Sequence, residues 1–316
     1  MTTRIACIGA GNIGRAWAMI FARGGHEVAL YDEKPAALDT AMGATRSGLD
    51  DQARLGLIDD PKAVLARIKP ALVLKDALAD VAHVQENVYE DLAVKRTMFE
   101  TLDRLTPKDA VIASSVSSIP VSQFMEGLPG SARCIGAHPV NPPNVIPLVE
   151  IIMSPSTAES TYERTAALME AIGQVPVRLN REILGYVLNR LQFALINEAL
   201  HLVDQGYVSA IDCDKIIKHG LGRRWAFMGP FETNHLNASG GIREYYTKFG
   251  PTIQGIIKEL FLTPHPAGPE IVEKLAAEIE AATPIDQVPA RQAWRDRQLA
   301  SLARHLADMA EREAKN

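Results

Sequence analysis

The feature that most constrains the fold is a glycine-rich turn between an apolar run and an amphipathic helix. The apolar run Arg4–Ile8 is followed by the sequence GAGNIG at residues 9–14, after which apolar residues recur at helical spacing. A second apolar run, Glu27–Tyr31, comes next, and Asp32 stands at its carboxyl end. The order strand, glycine turn, helix and strand predicts a βαβ unit with parallel strands and a right-handed crossover.

The spacing of the three glycines suits a phosphate-binding turn. Gly9 allows the tight turn, Gly11 lets the backbone approach a pyrophosphate, and Gly14 lets the helix pack closely on the strand. The amino end of the helix adds unpaired N–H groups and the positive end of its dipole. The turn therefore predicts a dinucleotide site.

Asp32 predicts which dinucleotide is bound. A carboxylate at the end of the second strand accepts hydrogen bonds from the ribose hydroxyls and repels the additional phosphate of NADP, which favours NAD. Flavoproteins that bind FAD share this pattern, so FAD stays an alternative. A structural turn with an incidental acid is a second alternative.

The rest of the N-terminal half continues the alternation of strands and helices. Further strands are predicted at residues 72–74, 81–84, 111–113, 134–137, 148–152 and 175–179, with helices near 92–105 and 158–172. This alternation predicts an α/β fold whose N-terminal part is a Rossmann-type doubly wound sheet.

After Gly185 the pattern becomes wholly helical. The stretch 186–203 has apolar residues on more than one side, which predicts a helix buried around much of its circumference. The charged stretch 290–313 is amphipathic. We therefore predict two domains, a NAD-binding domain over residues 1–184 and an all-helical C-terminal domain over residues 185–316.

Composition excludes several classes of partner. The 33 basic and 38 acidic residues give a formal net charge of −5, without the clustered surplus of Lys and Arg that nucleic acid requires. Cys7, Cys134 and Cys213 are widely spaced and form no pattern of metal ligands, so we predict reduced thiols and no metal. No apolar run is long enough for a membrane span and no secretory signal precedes the first strand, which predicts a cytoplasmic protein.

Three polar side chains follow apolar strands of the predicted sheet. Ser117, His138 and Glu150 each stand at or just past a strand end, the edge at which a doubly wound sheet binds its ligands. Histidine is a natural proton acceptor for the oxidation of an alcohol, and a carboxylate can fix its tautomer and stabilise the imidazolium. Each residue alone also has a structural explanation, in a turn or in an ion pair. A serine hydrolase is a further alternative, although the nucleophile motif G-x-S-x-G is absent.

Three longer strings carry a resemblance to a known family. They are AHPVNPP at 137–143, IPLVE at 146–150 and GPFETNHLN at 229–237. From about residue 4 to about residue 260 the chain resembles the 3-hydroxyacyl-CoA dehydrogenase family, and within it the L-gulonate 3-dehydrogenase branch, also known as lambda-crystallin. The resemblance implies a nucleotide-binding domain followed by a helical dimerisation domain, and therefore a homodimer.

The resemblance also implies roles for individual residues. His138 is the expected general base and Glu150 its charge partner, while Ser117 and Asn189 are expected to donate hydrogen bonds near the reacting oxygen. Glu90 and Lys95 match a pair close to the nicotinamide half of the cofactor, with surface charges as the alternative. The residues expected to bind NAD are Gly9, Gly11, Asn12, Ile13, Gly14, Asp32, Glu90, Lys95, Ser117 and Asn141.

The charges of residues 50–69 bear on the substrate. This segment carries four basic and four acidic residues, so it offers no clear cradle for the phosphates of CoA. A free hydroxy acid instead requires a cation for its carboxylate, and Arg223 and Arg224 are candidates because a guanidinium matches carboxylate geometry. We favour Arg224 as the substrate anchor, with a structural ion pair as the alternative.

The predicted function is the NAD-dependent oxidation of the 3-hydroxyl of a small L-3-hydroxy acid of the L-gulonate type. One alternative substrate is a 3-hydroxyacyl-CoA such as 3-hydroxybutyryl-CoA. Another is L-carnitine, because the string RWAFMGP at 224–230 also resembles carnitine dehydrogenases; Trp225 or Phe227 could form an aromatic cage for the trimethylammonium group of that substrate. A crystallin-like NAD-binding protein without activity is the non-enzymatic alternative, although the four candidate catalytic residues together argue against it.

Overall fold

The computed structural model describes residues 3–313, which form eight β-strands, fourteen α-helices and three short 3₁₀ or π turns. The strands are β1 (Arg4–Ile8), β2 (Glu27–Tyr31), β3 (Ile68–Ala71), β4 (His83–Glu86), β5 (Val111–Ser114), β6 (Cys134–Pro139), β7 (Leu148–Ile152) and β8 (Val175–Leu179). The helices are α1 (Asn12–Arg23), α2 (Pro35–Arg54), α3 (Pro61–Ala66), α4 (Leu74–Ala77), α5 (Leu92–Leu105), α6 (Ser122–Met125), α7 (Glu159–Ala171), α8 (Tyr186–Asp204), α9 (Ala210–Ile216), α10 (Gly222–Trp225), α11 (Pro230–Leu236), α12 (Gly241–Glu259), α13 (Pro269–Ala282) and α14 (Val288–Glu313).

All eight strands join one sheet in the order β3-β2-β1-β4-β5-β6-β7-β8. Neighbouring strands run parallel, except that β6 and β7 pair antiparallel. The strand order reverses between β1 and β4, and the carboxyl ends of strands at such a reversal form the crevice in which doubly wound sheets bind ligands. The predicted Rossmann-type sheet followed by a helical C-terminal domain is confirmed.

Alternate residues of β1 contribute to two separate cores, one on each face of the sheet. Ile5 lies in the buried cluster that contains Trp17 of α1, and Ile8 lies in the cluster that contains Phe99 of α5. All four side chains are fully buried. Because helices cover both faces, β1 is apolar at successive positions instead of alternating with polar residues.

The strand predicted at residues 72–74 is wrong. The strand beside β2 is β3, which ends where Ala71 pairs with Tyr31, the last residue of β2. The chain then bends away from the sheet, with Leu72 70% exposed, and α4 begins at Leu74. A strand needs a hydrogen-bonded neighbouring strand along its length. Because β2 ends at Tyr31, it offers residues 72–74 no backbone to pair with.

The described residues form two compact units. One consists of the described parts of Met1–Asn189 and Gln292–Asn316, and the other is Arg190–Arg291. The division falls inside α8, and most of α14 belongs to the first unit. The domain boundary after residue 184 stays a prediction, because a change in hydropathy marks where helical sequence starts and does not show which residues pack together.

The second unit has a small core and a broad exposed apolar surface. Val203, Ala210 and Ile271 form its buried cluster. The expectation that α8 is buried around much of its circumference is wrong for the single chain, in which Leu191 is 66% and Phe193 58% exposed. An apolar pattern on several sides of a helix predicts that those sides need cover, but it does not show that the same chain supplies it.

Candidate active site

The glycine turn brings β1 and α1 into close backbone contact. Gly9 has a φ of +94°, in the region that favours glycine. A Cβ at Gly14 would lie 1.8 Å from the carbonyl oxygen of Gly9, so a side chain there would break the turn. A Cβ at Gly11 would meet no heavy atom of the described residues within 4 Å. The turn is therefore closed at Gly14 and open beside Gly11.

The open side of the turn fits the pyrophosphate of a dinucleotide. The helix α1 begins at Asn12, and within residues 3–313 no side chain caps its amino end, which leaves its first backbone N–H groups available to an anion. Asn12 is exposed, whereas Ile13 is partly buried and packs against the core on one face of the sheet. These residues suit the phosphates of NAD.

Asp32 lies at the carboxyl end of β2 and is hydrogen-bonded to the glycine turn. Its Oδ2 accepts from the Ala10 N–H at 2.9 Å, and its Oδ1 accepts from the Lys34 N–H at 3.0 Å. Each carboxylate oxygen can accept more than one hydrogen bond, so Asp32 retains acceptor capacity for ribose hydroxyls. The contact with Ala10 holds this carboxylate next to the phosphate-binding turn.

His138 and Glu150 are directly opposed across the antiparallel pair of β6 and β7. His138 Nδ1 lies 2.8 Å from Glu150 Oε2, and both residues are buried, at 5% and 3% exposure. A carboxylate only accepts hydrogen bonds, so Nδ1 carries the hydrogen. The other ring nitrogen, Nε2, is then the unprotonated one and can accept a proton.

The second oxygen of Glu150 binds the start of α8. Its Oε1 accepts from the backbone N–H groups of Val187 and Leu188, each at 2.9 Å. Burial alone would raise the pKa of Glu150, but the hydrogen bonds from His138, Leu188 and Val187 together lower it, and the net shift is downward. Glu150 is therefore an ionised group placed between the imidazole and the positive end of a helix.

Acid should destabilise the protein in part through Glu150. Its pKa is lower in the folded protein than its ordinary value of 4.5, so its stabilising contribution is present above that pH and is lost as the pH falls through the folded pKa. We expect the free energy of unfolding to fall more steeply below about pH 4.5 in the wild type than in Glu150→Gln. Urea unfolding at successive pH values measures both slopes. Equal slopes would contradict this contribution.

The carboxylate of Glu90 holds Ser117 and Ser118. Its Oε2 accepts from the Ser117 N–H at 3.0 Å and its Oε1 from the Ser118 N–H at 2.7 Å, and both serine hydroxyls donate to the same carboxylate. Burial would raise the pKa of Glu90, but these hydrogen bonds lower it, with a net downward shift. The expected donation from Ser117 to a reacting oxygen is not found in this arrangement, because its one hydroxyl hydrogen is engaged with Glu90; its oxygen instead presents lone pairs to other groups.

Asn189 joins the same cluster from the first turns of α8. Its Nδ2 donates to the carbonyl oxygen of Ser117 at 2.8 Å. A side-chain amide nitrogen carries two hydrogens, so one remains for a further acceptor. The structure thus brings Ser117, Glu90 and Asn189 together, and links them through α8 to the His138 and Glu150 pair.

Lys95 forms a buried ion pair with Glu86. Its Nζ lies 3.0 Å from both carboxylate oxygens, and the two residues are 1% and 0% exposed. The Ser114 hydroxyl and the Val88 N–H also donate to Glu86, each at 2.6 Å. Sequence reasoning named Lys95 but missed Glu86 and Ser114, which are register partners at the ends of β4 and β5. The signal available for Glu86 was an acid two residues after the strand predicted at residues 81–84.

Two further predicted residues are exposed. Asn141 lies in the turn between β6 and β7, and Arg224 lies on α10 in the second unit, next to Arg223. Within residues 3–313, no cluster of three or more His, Cys, Asp or Glu side chains could hold a metal ion. No helix in the same part of the chain is long and apolar enough to cross a membrane.

Comparison with known proteins assigns both parts of the chain to one family. Residues 4–183 match the model of the 3-hydroxyacyl-CoA dehydrogenase NAD-binding domain, and residues 185–281 match that of the 3-hydroxyacyl-CoA dehydrogenase C-terminal domain. The chain belongs to the 3-hydroxyacyl-CoA dehydrogenase family. The predicted family, the NAD cofactor and the oxidoreductase class are therefore confirmed.

Several known proteins are similar to this chain over most of its length. Lambda-crystallin of Oryctolagus cuniculus is 40% identical over 305 residues, which is 95% of each chain. An L-carnitine dehydrogenase of Streptomyces coelicolor is 36% identical over 252 residues, 79% of each chain. The solved structure of 5-formyl-3-hydroxy-2-methylpyridine 4-carboxylic acid 5-dehydrogenase, an NAD⁺-dependent dismutase, has a TM-score of 0.84 at 29% identity and covers 97% of this chain and 99% of its own.

Proposed function

We propose that this protein oxidises the 3-hydroxyl of a small L-3-hydroxy acid of the L-gulonate type to the 3-keto acid, with NAD as acceptor and His138 as general base. The observation that carries the proposal is the buried pair of His138 Nδ1 and Glu150 Oε2, 2.8 Å apart. His138 is near the carboxyl end of β6, and the glycine turn follows the carboxyl end of β1. The strands β1 and β6 run in the same direction in the sheet. The base and the phosphate-binding turn therefore share one edge of the sheet.

The residues of the site supply the proton transfer and the hydrogen bonds of the reaction. When bound, NAD supplies the two-electron acceptor. Nε2 of His138 accepts the proton of the substrate hydroxyl, and Glu150 stabilises the resulting imidazolium through Nδ1. The remaining amide hydrogen of Asn189 is available to the reacting oxygen, and the Ser117 oxygen can accept from a substrate hydroxyl. In the reverse direction the imidazolium returns the proton.

The charges of α2 and α3 support a free acid over a CoA thioester. Arg54 pairs with Asp51, and Asp60 caps α3 by accepting from the Ala63 N–H at 2.9 Å. These charges are engaged locally and do not concentrate positive potential for the phosphates of CoA. The similarity to lambda-crystallin over 95% of the chain supports the same choice. We propose Arg224 as the cation for the substrate carboxylate.

A substrate panel tests the proposed function. The purified protein is offered L-gulonate, 3-hydroxybutyrate, L-carnitine and 3-hydroxybutyryl-CoA with NAD, and the absorbance of NADH is followed. We expect the highest kcat/KM for L-gulonate. A higher value for L-carnitine or for the CoA thioester would overturn the substrate assignment. Binding of NAD without turnover of any substrate would favour a non-catalytic, crystallin-like protein.

Asp32 should make the enzyme prefer NAD over NADP. The extra phosphate of NADP would meet the carboxylate that is bonded to Ala10, whereas the ribose hydroxyls of NAD would donate to it. We expect Asp32→Asn to lower the ratio of kcat/KM for NAD to that for NADP by about tenfold or more, which corresponds to ~1.4 kcal/mol. Initial rates with each cofactor measure the ratio. Equal use of the two cofactors by the wild type would contradict the role of Asp32.

We propose that the protein is a homodimer whose partner chain covers exposed apolar residues of α8. Leu191 and Phe193, at 66% and 58% exposure, would be unfavourable in water without a partner surface. A mass near twice the 34.4 kDa of one chain is expected in sedimentation equilibrium, and Phe193→Asp should shift the population toward single chains. A wild type that stays a single chain at micromolar concentration would contradict this proposal. The cytoplasmic location stays a prediction.

A further inference from the structure

Tyr186 contacts both the proposed base and the loop that carries Ser117, and sequence reasoning did not single it out. It is the first residue of α8 and is 0% exposed. Its ring centroid lies 5.4 Å from that of His138, with 54° between the ring planes. Its hydroxyl donates to the carbonyl oxygen of Ile119 at 2.8 Å. Both ends of this side chain are therefore fixed.

The backbone at Tyr186 has an unusual conformation. Its φ is +52° and follows a φ of +73° at Gly185. An aromatic residue in this left-handed region is uncommon, costs free energy and persists only where the surroundings hold it. The chain that leaves Tyr186 directs the N–H groups of Val187 and Leu188 to Glu150 Oε1. The conformation thus serves the carboxylate that orients His138.

The start of α8 also binds three consecutive carbonyl groups of residues 117–119, which we call the serine loop. Asn189 Nδ2 donates to the carbonyl oxygen of Ser117 at 2.8 Å, and the Gly185 N–H donates to that of Ser118 at 3.2 Å. The Tyr186 hydroxyl donates to the carbonyl oxygen of Ile119 at 2.8 Å. The N–H groups of Ser117 and Ser118 are bound by Glu90. Burial, followed by the nearby carboxylates of Glu90, Glu182 and Glu150, raises the pKa of the Tyr186 phenol, so its hydroxyl stays protonated and continues to donate.

We propose that Tyr186 is a positioning residue that sets the separation between the His138 imidazole and the Ser117 hydroxyl. Its ring limits the rotation of the imidazole, and its hydroxyl fixes the end of the serine loop. Two groups that act on one substrate must be held in register for fast reaction, so this single side chain couples them. The proposal rests on the proposed function, because it takes His138 and Ser117 to act on the same substrate.

Two substitutions separate the contacts of Tyr186. Tyr186→Phe removes the hydroxyl and keeps the ring, and we expect kcat to fall by about threefold to tenfold, the effect of one hydrogen bond. Tyr186→Leu removes the ring as well, and a displacement of ~1 Å in the site is expected to lower kcat by ~10²-fold. The KM for NAD should stay close to wild type in both. Tyr162→Phe is the matched control, since Tyr162 lies on α7 and packs against the core on one face of the sheet, and the kcat of this variant should not change.

The outcome of Tyr186→Phe decides the proposal even where the leucine variant does not fold. An unchanged kcat in Tyr186→Phe would overturn it, and so would a loss of kcat that is matched by Tyr162→Phe. A merely structural role would lower the Tm and the fraction of active sites but not the turnover of each active site. Titration of active sites with NADH and thermal unfolding distinguish the two.

A second measurement tests the positioning role of Tyr186 without turnover. It therefore still applies if the protein oxidises no hydroxy acid and the proposed function is wrong. The nitrogen-15 NMR signals of His138, assigned by their loss in His138→Gln, report its tautomer. We expect one tautomer with the hydrogen on Nδ1 in the wild type, and mixed or broadened signals in Tyr186→Leu, or in Tyr186→Met should the leucine variant not fold. Signals identical to those of the wild type in the folded variant would overturn the positioning role of Tyr186.

Discussion

We expect His138→Gln to lower kcat by ~10²–10⁴-fold, the range that general acid–base assistance by a positioned side chain contributes. Glutamine retains an amide N–H that can donate to Glu150, so the buried carboxylate keeps a partner, but glutamine has no nitrogen that can accept a proton at neutral pH. His138 lies on β6, whereas the glycine turn follows β1, so the affinity for NAD should stay close to wild type. Steady-state turnover and calorimetric titration with NAD measure the two quantities separately.

The control for this substitution is a second buried histidine of the same sheet. His83 on β4 contacts Gln85 through Nε2 at 3.2 Å, and burial lowers its pKa to about 4. His83 is thus a neutral structural residue, and His83→Gln should leave kcat near the wild-type value. Near-normal turnover in His138→Gln, or an equal loss in both variants, would remove His138 as the general base.

Gly11→Ala is expected to abolish tight NAD binding without damage to the fold. A Cβ at Gly11 would meet no heavy atom of the described residues within 4 Å, and its φ is not in the left-handed region. The methyl group would instead occupy the space into which the turn admits a pyrophosphate. We expect the Kd for NAD to rise by ~10²-fold, or ~2.7 kcal/mol, and the increase in Tm that NAD produces to disappear.

Gly14→Ala is expected to damage binding and folding together. Its Cβ would lie 1.8 Å from the carbonyl oxygen of Gly9, which is a fixed backbone atom, so the turn would have to open. A loss of about 4 kcal/mol or more in the free energy of unfolding is the scale of such backbone conflicts. Gly43→Ala on α2, where a Cβ meets no described atom within 4 Å, is the control and should leave both properties intact. Equal behaviour of Gly11→Ala and Gly14→Ala would contradict this account of the turn.

The parts of the fold that were predicted correctly are those that short-range chemistry encodes. The helix expected near residues 92–105 is α5, and its start is fixed by Asp91, which accepts from the N–H groups of Ala93 and Val94 at 2.9 and 3.0 Å. The unit of β1, glycine turn, α1 and β2 was likewise predicted from neighbouring residues alone. The strand at residues 72–74 failed because its existence depends on where another strand ends.

The candidate site likewise has some features that the sequence predicted and others that it could not show. The sequence predicted that Ser117 and His138 stand at or just past strand ends, because apolar runs that stop at a polar residue are visible in a single chain. The same prediction for Glu150 is wrong, because Glu150 is the third of the five residues of β7 and apolar residues follow it. It could not show that β6 and β7 pair antiparallel with His138 opposite Glu150. Nor could it find Tyr186, since an aromatic residue at the start of an apolar helix looks like any other core residue until its φ and its contacts are known.

The sequence by itself thus predicted the nucleotide turn, the NAD cofactor and the residue types available for proton transfer. Only the tertiary structure decided which partner each of three glutamates meets: Glu86 binds Lys95, Glu90 binds the serines, and Glu150 binds His138 and the start of α8. The reason is physical. A carboxylate beside an apolar strand has the same signature in every sequence, whereas its partner is chosen by sheet register and by the need to satisfy a buried charge.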